Sequence, residues 1–290
     1  MPRLFPLIAL TLLTVALTIP IHAYAQDYLS PELREQIDQL KADVQSTPTN
    51  NTNGRERAHL VWEWSNAYAL SGKHIPANTT ASMNRIMNAP ETTRLRRASL
   101  RSVDDYVREF TVYDEQPDAL GELEMLTPGP YPIETWQTLR VQYTVGTMPL
   151  QPGGVIMINR HFISDAGRWQ ATNPAGDNYI SIASSNLEVK FVATTTPWSG
   201  MHGGFRGAAE QLAYRVEGAE LSMGDTFTVT YGDTSGGSRG YKMQSFTSDA
   251  VPFPMHIKFS KNDVFFEPPV PVYEVIGGEV AKIQGFVPSV

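Results

Sequence analysis

Two periods divide this chain. Up to about residue 100 the apolar positions recur at helical spacing, and beyond about residue 102 they alternate with polar ones. Leu33, Ile37, Leu40 and Val44 share one face of an expected helix over 30–45, with Ser30 as N-cap and Pro31 at its first position. The run 46–54 is Ser, Thr, Asn and Pro closed by Gly54, lacks any apolar period, and reads as a flexible linker. A second helix is expected over about 55–70, with Ala58, Val61, Trp62 and Ala69 available for packing and Gly72 closing it. A shorter one follows Asn78 through Met83, Ile86 and Met87.

The alternating half yields strands over 106–113, 135–145, 155–158, 187–193, 227–231, 241–246, 255–259, 273–276 and 280–286. In the second of these, Leu139, Val141, Tyr143 and Val145 alternate with polar residues. Turn signals separate the strands, among them Pro152-Gly153-Gly154, Gly224-Asp225 and Gly232-Asp233. Short alternating strands with no helices between them predict a mainly β fold, an antiparallel, immunoglobulin-like β-sandwich preceded by a short helical segment. The expected divisions are 1–25, 26–100 with the linker near 46–54, and a sandwich domain over 101–290. The helix over 30–45 is expected to be tied to the rest only through that linker, a natural site of proteolytic nicking.

Residues 1–25 read as a cleavable signal peptide. Arg3 supplies the positive start, 4–21 the apolar stretch, and Ala23-Tyr24-Ala25 the small residues before a cut ahead of Gln26. The expected location is therefore the periplasm or the outside, with no membrane contact after cleavage. The chain has no cysteine, so an exported fold of 290 residues has to rest on its apolar core, without disulfides or thiolate metal sites. With 23 basic and 30 acidic residues the net charge is −7, which leaves no excess charge to neutralise nucleic-acid phosphates.

Nucleophile-like spacing appears once. Gly236-Gly237-Ser238-Arg239-Gly240 fits Gly-x-Ser-x-Gly, and Gly232-Asp233-Thr234-Ser235-Gly236-Gly237 resembles a serine-protease segment with one residue inserted. A working serine elbow needs a strand-turn-helix setting and a histidine further on. The segment after Ser238 reads as a strand, and His256 follows too closely. The loop, with Gly232, Asp233, Ser235, Gly237, Ser238 and Gly240, is expected to be a structural hairpin, and no catalytic residue is assigned. The six histidines form no His-x-His or His-Glu-x-x-His pair, so neither a metal site nor a cofactor is expected. Asp225, Asp233 and Asp249 could offer oxygens to calcium, but each falls in a turn where Asp commonly bonds its own backbone. Trp169, Tyr179, Trp198, His202 and Arg206 lie in the loop-rich middle. They are the candidates for binding a carbohydrate or peptide, against the alternative that the Trp rings are packing.

Three segments carry a family resemblance: Tyr231 through Gly240 followed by Gln244-Ser245-Phe246, Asp114 through Gly121, and Gly285-Phe286-Val287-Pro288-Ser289-Val290. In this order they resemble the N-terminal accessory region of the domain-of-unknown-function 3604 family, over roughly residues 100–290. The resemblance implies a non-catalytic module that precedes another β domain and then a metal-dependent phosphoesterase-like domain of the PHP type (polymerase and histidinol phosphatase). That catalytic part carries a His-x-His signature, which has no counterpart here, so no catalytic or metal residue is carried over. The implied partner is a C-terminal catalytic domain beyond Val290. The alternative is a stand-alone secreted protein that binds carbohydrate or peptide.

Overall fold

The computed structural model describes residues 31–47, 54–70, 79, 83, 87–88, 93–160, 164–194 and 210–278. Three helices lead, α1 (Pro31–Ser46), α2 (Gly54–Leu70) and α3 (Thr93–Glu115). The strands of the main body are β1 (Glu122–Met125), β2 (Tyr131–Pro132), β3 (Trp136–Gln137), β4 (Leu139–Thr144), β5 (Val155–Arg160), β6 (Ile180–Ser184) and β7 (Val189–Thr194). After them come β8 (Glu210–Gly218), β9 (Thr226–Tyr231), β10 (Tyr241–Lys242), β11 (Ser248–Pro252), β12 (Met255–Lys258) and β13 (Val272–Ile276).

Two four-stranded antiparallel sheets, β1-β4-β9-β6 and β12-β5-β8-β7, make an antiparallel β-sandwich. Alternation explains the first sheet. Leu139, Val141 and Tyr143 of β4 are buried beside Phe227, Val229 and Tyr231 of β9, while Arg140 between them is exposed. Ile156, Ile158, Tyr214, Val216 and Ile257 of the second sheet complete the same core. Across the interior the Phe191 and Phe227 rings stand 5.6 Å apart, and the Tyr214 hydroxyl donates to the Ile180 carbonyl at 3.3 Å. Two small sheets, β10-β3 and β11-β13-β2, flank this body, with β13 and β2 running parallel.

Several expectations need correction. The strand expected over 106–113 is helix, because α3 continues to Glu115. Val103, Tyr106 and Phe110 recur at helical spacing and are all buried against the other helices, so helical packing overrides their β-prone composition. Helix α1 is not held by the linker alone. Ile37, Leu40 and Val44 pack in one cluster with Ala58, Val61, Trp64 and Tyr68 of α2. Arg57 donates to the Val44 and Thr47 carbonyls at 2.7 Å each, and Lys41 pairs with Asp114 at the far end of α3. The segment 241–246 is strand only at Tyr241–Lys242. Strands β1, β2, β6 and β11, and the nine-residue β8 inside the second sheet, fall outside the expected strands. The linker residues 48–53, most of the helix expected after Asn78, and the strand expected over 280–286 lie outside the described residues.

Helix α3 joins the two regions. Phe110 packs with α2, Val112 belongs to the sandwich core, and Tyr113 touches both clusters.

Candidate functional site

The glycine-rich connection between β9 and β10 is not the hairpin expected: β9 pairs with β4 and β6 and β10 pairs with β3, so the loop carries the chain from one sheet to another. Gly232, Gly237 and Gly240 have φ of 70°, 98° and 116°, a region that strains residues bearing a Cβ. At Gly232 space is closed as well. A Cβ there would meet the Gln137 carbonyl oxygen at 2.5 Å and the Tyr241 nitrogen closer still. Asp233 sets the turn. Its Oδ1 accepts from the Ser235 N–H at 2.9 Å and its Oδ2 from the Ser181 hydroxyl at 2.5 Å. Burial opposes the charge on Asp233, yet the serine hydrogen bonds win and its carboxyl titrates below the ordinary range. Ser238 is 6% exposed, and its Oγ accepts from the Gly240 N–H at 3.1 Å. Ser235 is exposed, with its N–H held by Asp233. Both serines of the nucleophile-like pattern thus sit in local turn geometry.

The neighbouring loop is locked to this one. Gln170 accepts from the N–H groups of Thr172 and Asn173 at 3.0 and 2.9 Å, and its amide donates to the Asn173 carbonyl at 2.8 Å. Asn178, at φ 59°, accepts from the Lys242 N–H at 2.9 Å. Arg239 reaches back to Asp177 with two parallel bonds, one of them 2.9 Å from Nε to Oδ1, and its guanidinium lies 4.1 Å over the Trp136 ring. The pairing with Arg239 holds the Asp177 carboxyl below its usual range. Ser245 does the same for Asp165 through its hydroxyl and its N–H. Arg239 stays 64% exposed at its side chain, so this end presents a fixed cation on an aromatic face.

The binding residues expected from sequence divide. Trp169 is half-buried, with its ring 5.3 Å from Tyr231 and 6.3 Å from Tyr241, packed against the sandwich core. Among the described residues its indole N–H has no hydrogen-bond partner. Tyr179 lies at the same end, bridged by backbone to Gln170 and accepting from the Asp233 N–H at 3.0 Å. Trp198, His202 and Arg206 lie outside the described residues. Trp136, which the sequence reading passed over, also reaches this surface, half-buried like Trp169 and Tyr179. The available signal was its place at the head of the 135–145 run, just ahead of the alternating residues.

Of the three calcium candidates, Asp225 accepts from the Ser222 N–H at 2.8 Å, Asp233 is occupied as above, and Asp249 is exposed on β11. Among the described residues, no three His, Asp or Glu side chains are grouped to hold a metal ion.

A second polar cluster lies where α3 meets the sandwich, and nothing in the sequence announced it. Glu109 of α3 is fully buried, and its Oε1 accepts from the Tyr113 hydroxyl and from the Glu267 N–H at 2.6 Å each. Tyr113 also reaches the Glu267 carbonyl at 2.5 Å. The Glu267 carboxylate stands 3.1 Å from His256 Nε2, and His256 Nδ1 lies 2.5 Å from the Asn159 amide nitrogen. His256, the histidine downstream of Ser238, is thus committed to Glu267 and Asn159.

No family model matches the chain, and no curated protein matches it. A cohesin module from a family 33 glycoside hydrolase of Clostridium perfringens is similar over 55% of this chain and 99% of its own, at 7% identity and a TM-score of 0.31. A protein described as membrane anchored, from Corynebacterium diphtheriae, is similar over 57% of this chain and 37% of its own, at 10% identity and a TM-score of 0.32. Likeness this slight carries no argument about function, and the sandwich assignment rests on the sheets themselves. No helix among the described residues is long and apolar enough to cross a membrane.

Proposed function

We propose that this chain is an exported, non-catalytic β-sandwich module that supports or positions substrate for a phosphoesterase-like hydrolase domain of the PHP type. The export rests on Arg3, the apolar stretch and Ala23-Tyr24-Ala25. The accessory role rests on the resemblance over roughly residues 100–290. The observation that carries the reading is the fate of the most enzyme-like segment. Ser238 is buried with its Oγ accepting from the Gly240 N–H, and Ser235 lies in an Asp233-capped turn. Acyl transfer needs a base in reach of the nucleophile and donors aimed at a developing oxyanion. Here the carboxylate beside Ser235 binds its amide, and the downstream histidine is occupied elsewhere.

The test is labelling of the secreted protein with a serine-reactive fluorophosphonate, alongside hydrolysis of generic esters. The expected result is no labelling and no turnover. Stoichiometric labelling at Ser238 or Ser235 that is lost in the matching alanine variant overturns the non-catalytic reading. The accessory half is checked at the locus. An open frame past the codon for Val290 that encodes a His-x-His segment supports it, and a stop codon there removes it.

A second reading, a stand-alone binder of carbohydrate or peptide, is favoured by the loop end. Arg239 is stacked on Trp136 and braced by Asp177, and Gln170 and Asn178 fix the loops beside it. Pre-organised loops lose little freedom on binding. Retention of the protein on immobilised polysaccharides, lost in Trp136→Ala, supports this reading, and equal retention of both proteins removes it.

A further inference from the structure

Every methionine among the described residues is packed except one. Met157, Met243 and Met255 are buried in the sandwich, and Met83 is buried among the helices. Met125 and Met148 lie half-buried against the sandwich core, and Met87 lies against the helical one. Met223, between β8 and β9, belongs to neither cluster and is 71% exposed. We propose that Met223 is an oxidation site of the sandwich, at which hydroperoxides convert the thioether to the sulfoxide ahead of the packed methionines and without loss of the fold.

The turn that carries Met223 accounts for both the exposure and the tolerance. In Ser222-Met223-Gly224-Asp225 the Asp225 N–H donates to the Ser222 carbonyl at 2.9 Å, and Gly224 has φ of 87°. A positive φ at the third position is that of a type II turn and suits glycine. Asp225 Oδ2 accepts from the Ser222 N–H at 2.8 Å. The Gly224 N–H donates to the Val145 carbonyl and the Val145 N–H to the Asp225 carbonyl, each at 2.9 Å, which ties the turn to the end of β4. None of these bonds uses the Met223 side chain, so a change at its sulfur leaves the turn intact.

The chemistry asks only for access. The sulfur lone pair attacks one peroxide oxygen, and the S–O bond forms as the O–O bond breaks. The proton on the transferred oxygen passes to the departing hydroxide, which leaves as water. Sulfur gives up two electrons, and the peroxide takes them. A packed methionine can react only in the fraction of molecules that is open at that moment, whereas Met223 reacts in the native chain.

The product divides the sites in the same way. A sulfoxide on Met223 meets water. On Met243 or Met255, which are 1% and 0% exposed, the same oxygen would be a polar group inside an apolar core.

The test exposes the full chain to hydrogen peroxide and follows oxygen uptake at each methionine by peptide mass spectrometry, in buffer and again in urea above the unfolding midpoint. In buffer, Met223 is expected to gain oxygen at least about tenfold faster than Met157, Met243 and Met255, and ahead of Met125 and Met148. In urea the difference is expected to vanish, because burial is its cause. The chain oxidised at Met223, and Met223→Gln with its polar side chain of similar length, are each expected to keep the urea midpoint of the untreated protein. A packed methionine oxidised as fast as Met223 in buffer, an order that persists in urea, or a midpoint lowered by either change at Met223 overturns the proposal.

Discussion

The helical region and the sandwich are held together internally by the same means and to each other by a different one. Inside the helices, Trp64, Tyr68 and Phe110 make an aromatic cluster with centroids 5.2–5.7 Å apart. Inside the sandwich, Tyr143, Phe227 and Phe191 do the same at 4.9 and 5.6 Å. Between them, Val112 and Tyr113 supply apolar contact, and much of the specific joining falls to Glu109 and Tyr113 against Glu267, with Arg108 against Asp263. Apolar burial does not depend on protonation or on any one partner, whereas a buried polar joint depends on every partner being present and correctly protonated. The comparison teaches that the two cores set how stable each region is, and the joint decides whether they behave as one.

The largest test of that view deletes a core ring on either side. Phe227→Ala should cost about 3–5 kcal/mol in the sandwich, and Trp64→Ala a similar amount in the helices. If the joint couples the regions, each variant lowers the urea midpoint of both. Circular dichroism of the helices and peptide-resolved hydrogen exchange of β4 and β9 read the two sides separately.

Gly232→Val comes next, at roughly 2–5 kcal/mol. A left-handed backbone strains valine by about 1–2 kcal/mol, and overpacking against the Gln137 carbonyl and Tyr241 nitrogen adds about 1–3. The loss should appear in thermal unfolding, and tolerance of valine there means that the loop is not closed against Gln137 and Tyr241 as described.

Glu109→Ala leaves the buried Glu267 N–H short of an acceptor, at about 1–3 kcal/mol, while the Tyr113 hydroxyl keeps the Glu267 carbonyl. Unlike the core deletions it should act mostly on the joint, so that α3 loses protection before β4 and β9 do.

The smallest effects belong to the serines. Ser238→Ala removes one turn hydrogen bond, about 0.5–1.5 kcal/mol. Ser235→Ala, exposed and bonded through its backbone, should stay within about 0.5 kcal/mol. Both are expected to fold normally by circular dichroism.

How far the sequence could be read follows the same division. Strict alternation at Leu139, Val141 and Tyr143, and at Phe227, Val229 and Tyr231, exposed the sandwich because one face of each strand is buried and the other meets water. Helix α3 was hidden because Val103, Tyr106 and Phe110 are β-prone types, and their spacing of three and four was outweighed by composition. Strand β8 shows Leu212, Tyr214 and Val216 in alternation, but Ala213 between them is also buried, which blurs the pattern. In the loop, the glycines and Asp233 marked the turn through the positive φ and turn bonds those residues favour, but not its partners: β9 and β10 join different sheets, so the connection is no hairpin. The joint left no trace. A buried Glu reads as a solvated one until its partner, 158 residues away in the case of Glu109 and Glu267, is brought to it by the fold. Trp136 was missed for a related reason, since the two groups that fix it in place, Arg239 and Lys242, come from a distant turn.

Hydrogen exchange followed by mass spectrometry across a urea series, comparing the full chain with Glu109→Ala, tests most directly whether the joint makes one body of two cores. The account predicts that peptides covering 103–115 and those covering β4 and β9 open at the same urea concentration in the wild type, and that Glu109→Ala splits them, with the helical peptides opening first. Separate transitions in the wild type, or one shared transition that survives Glu109→Ala, would contradict it.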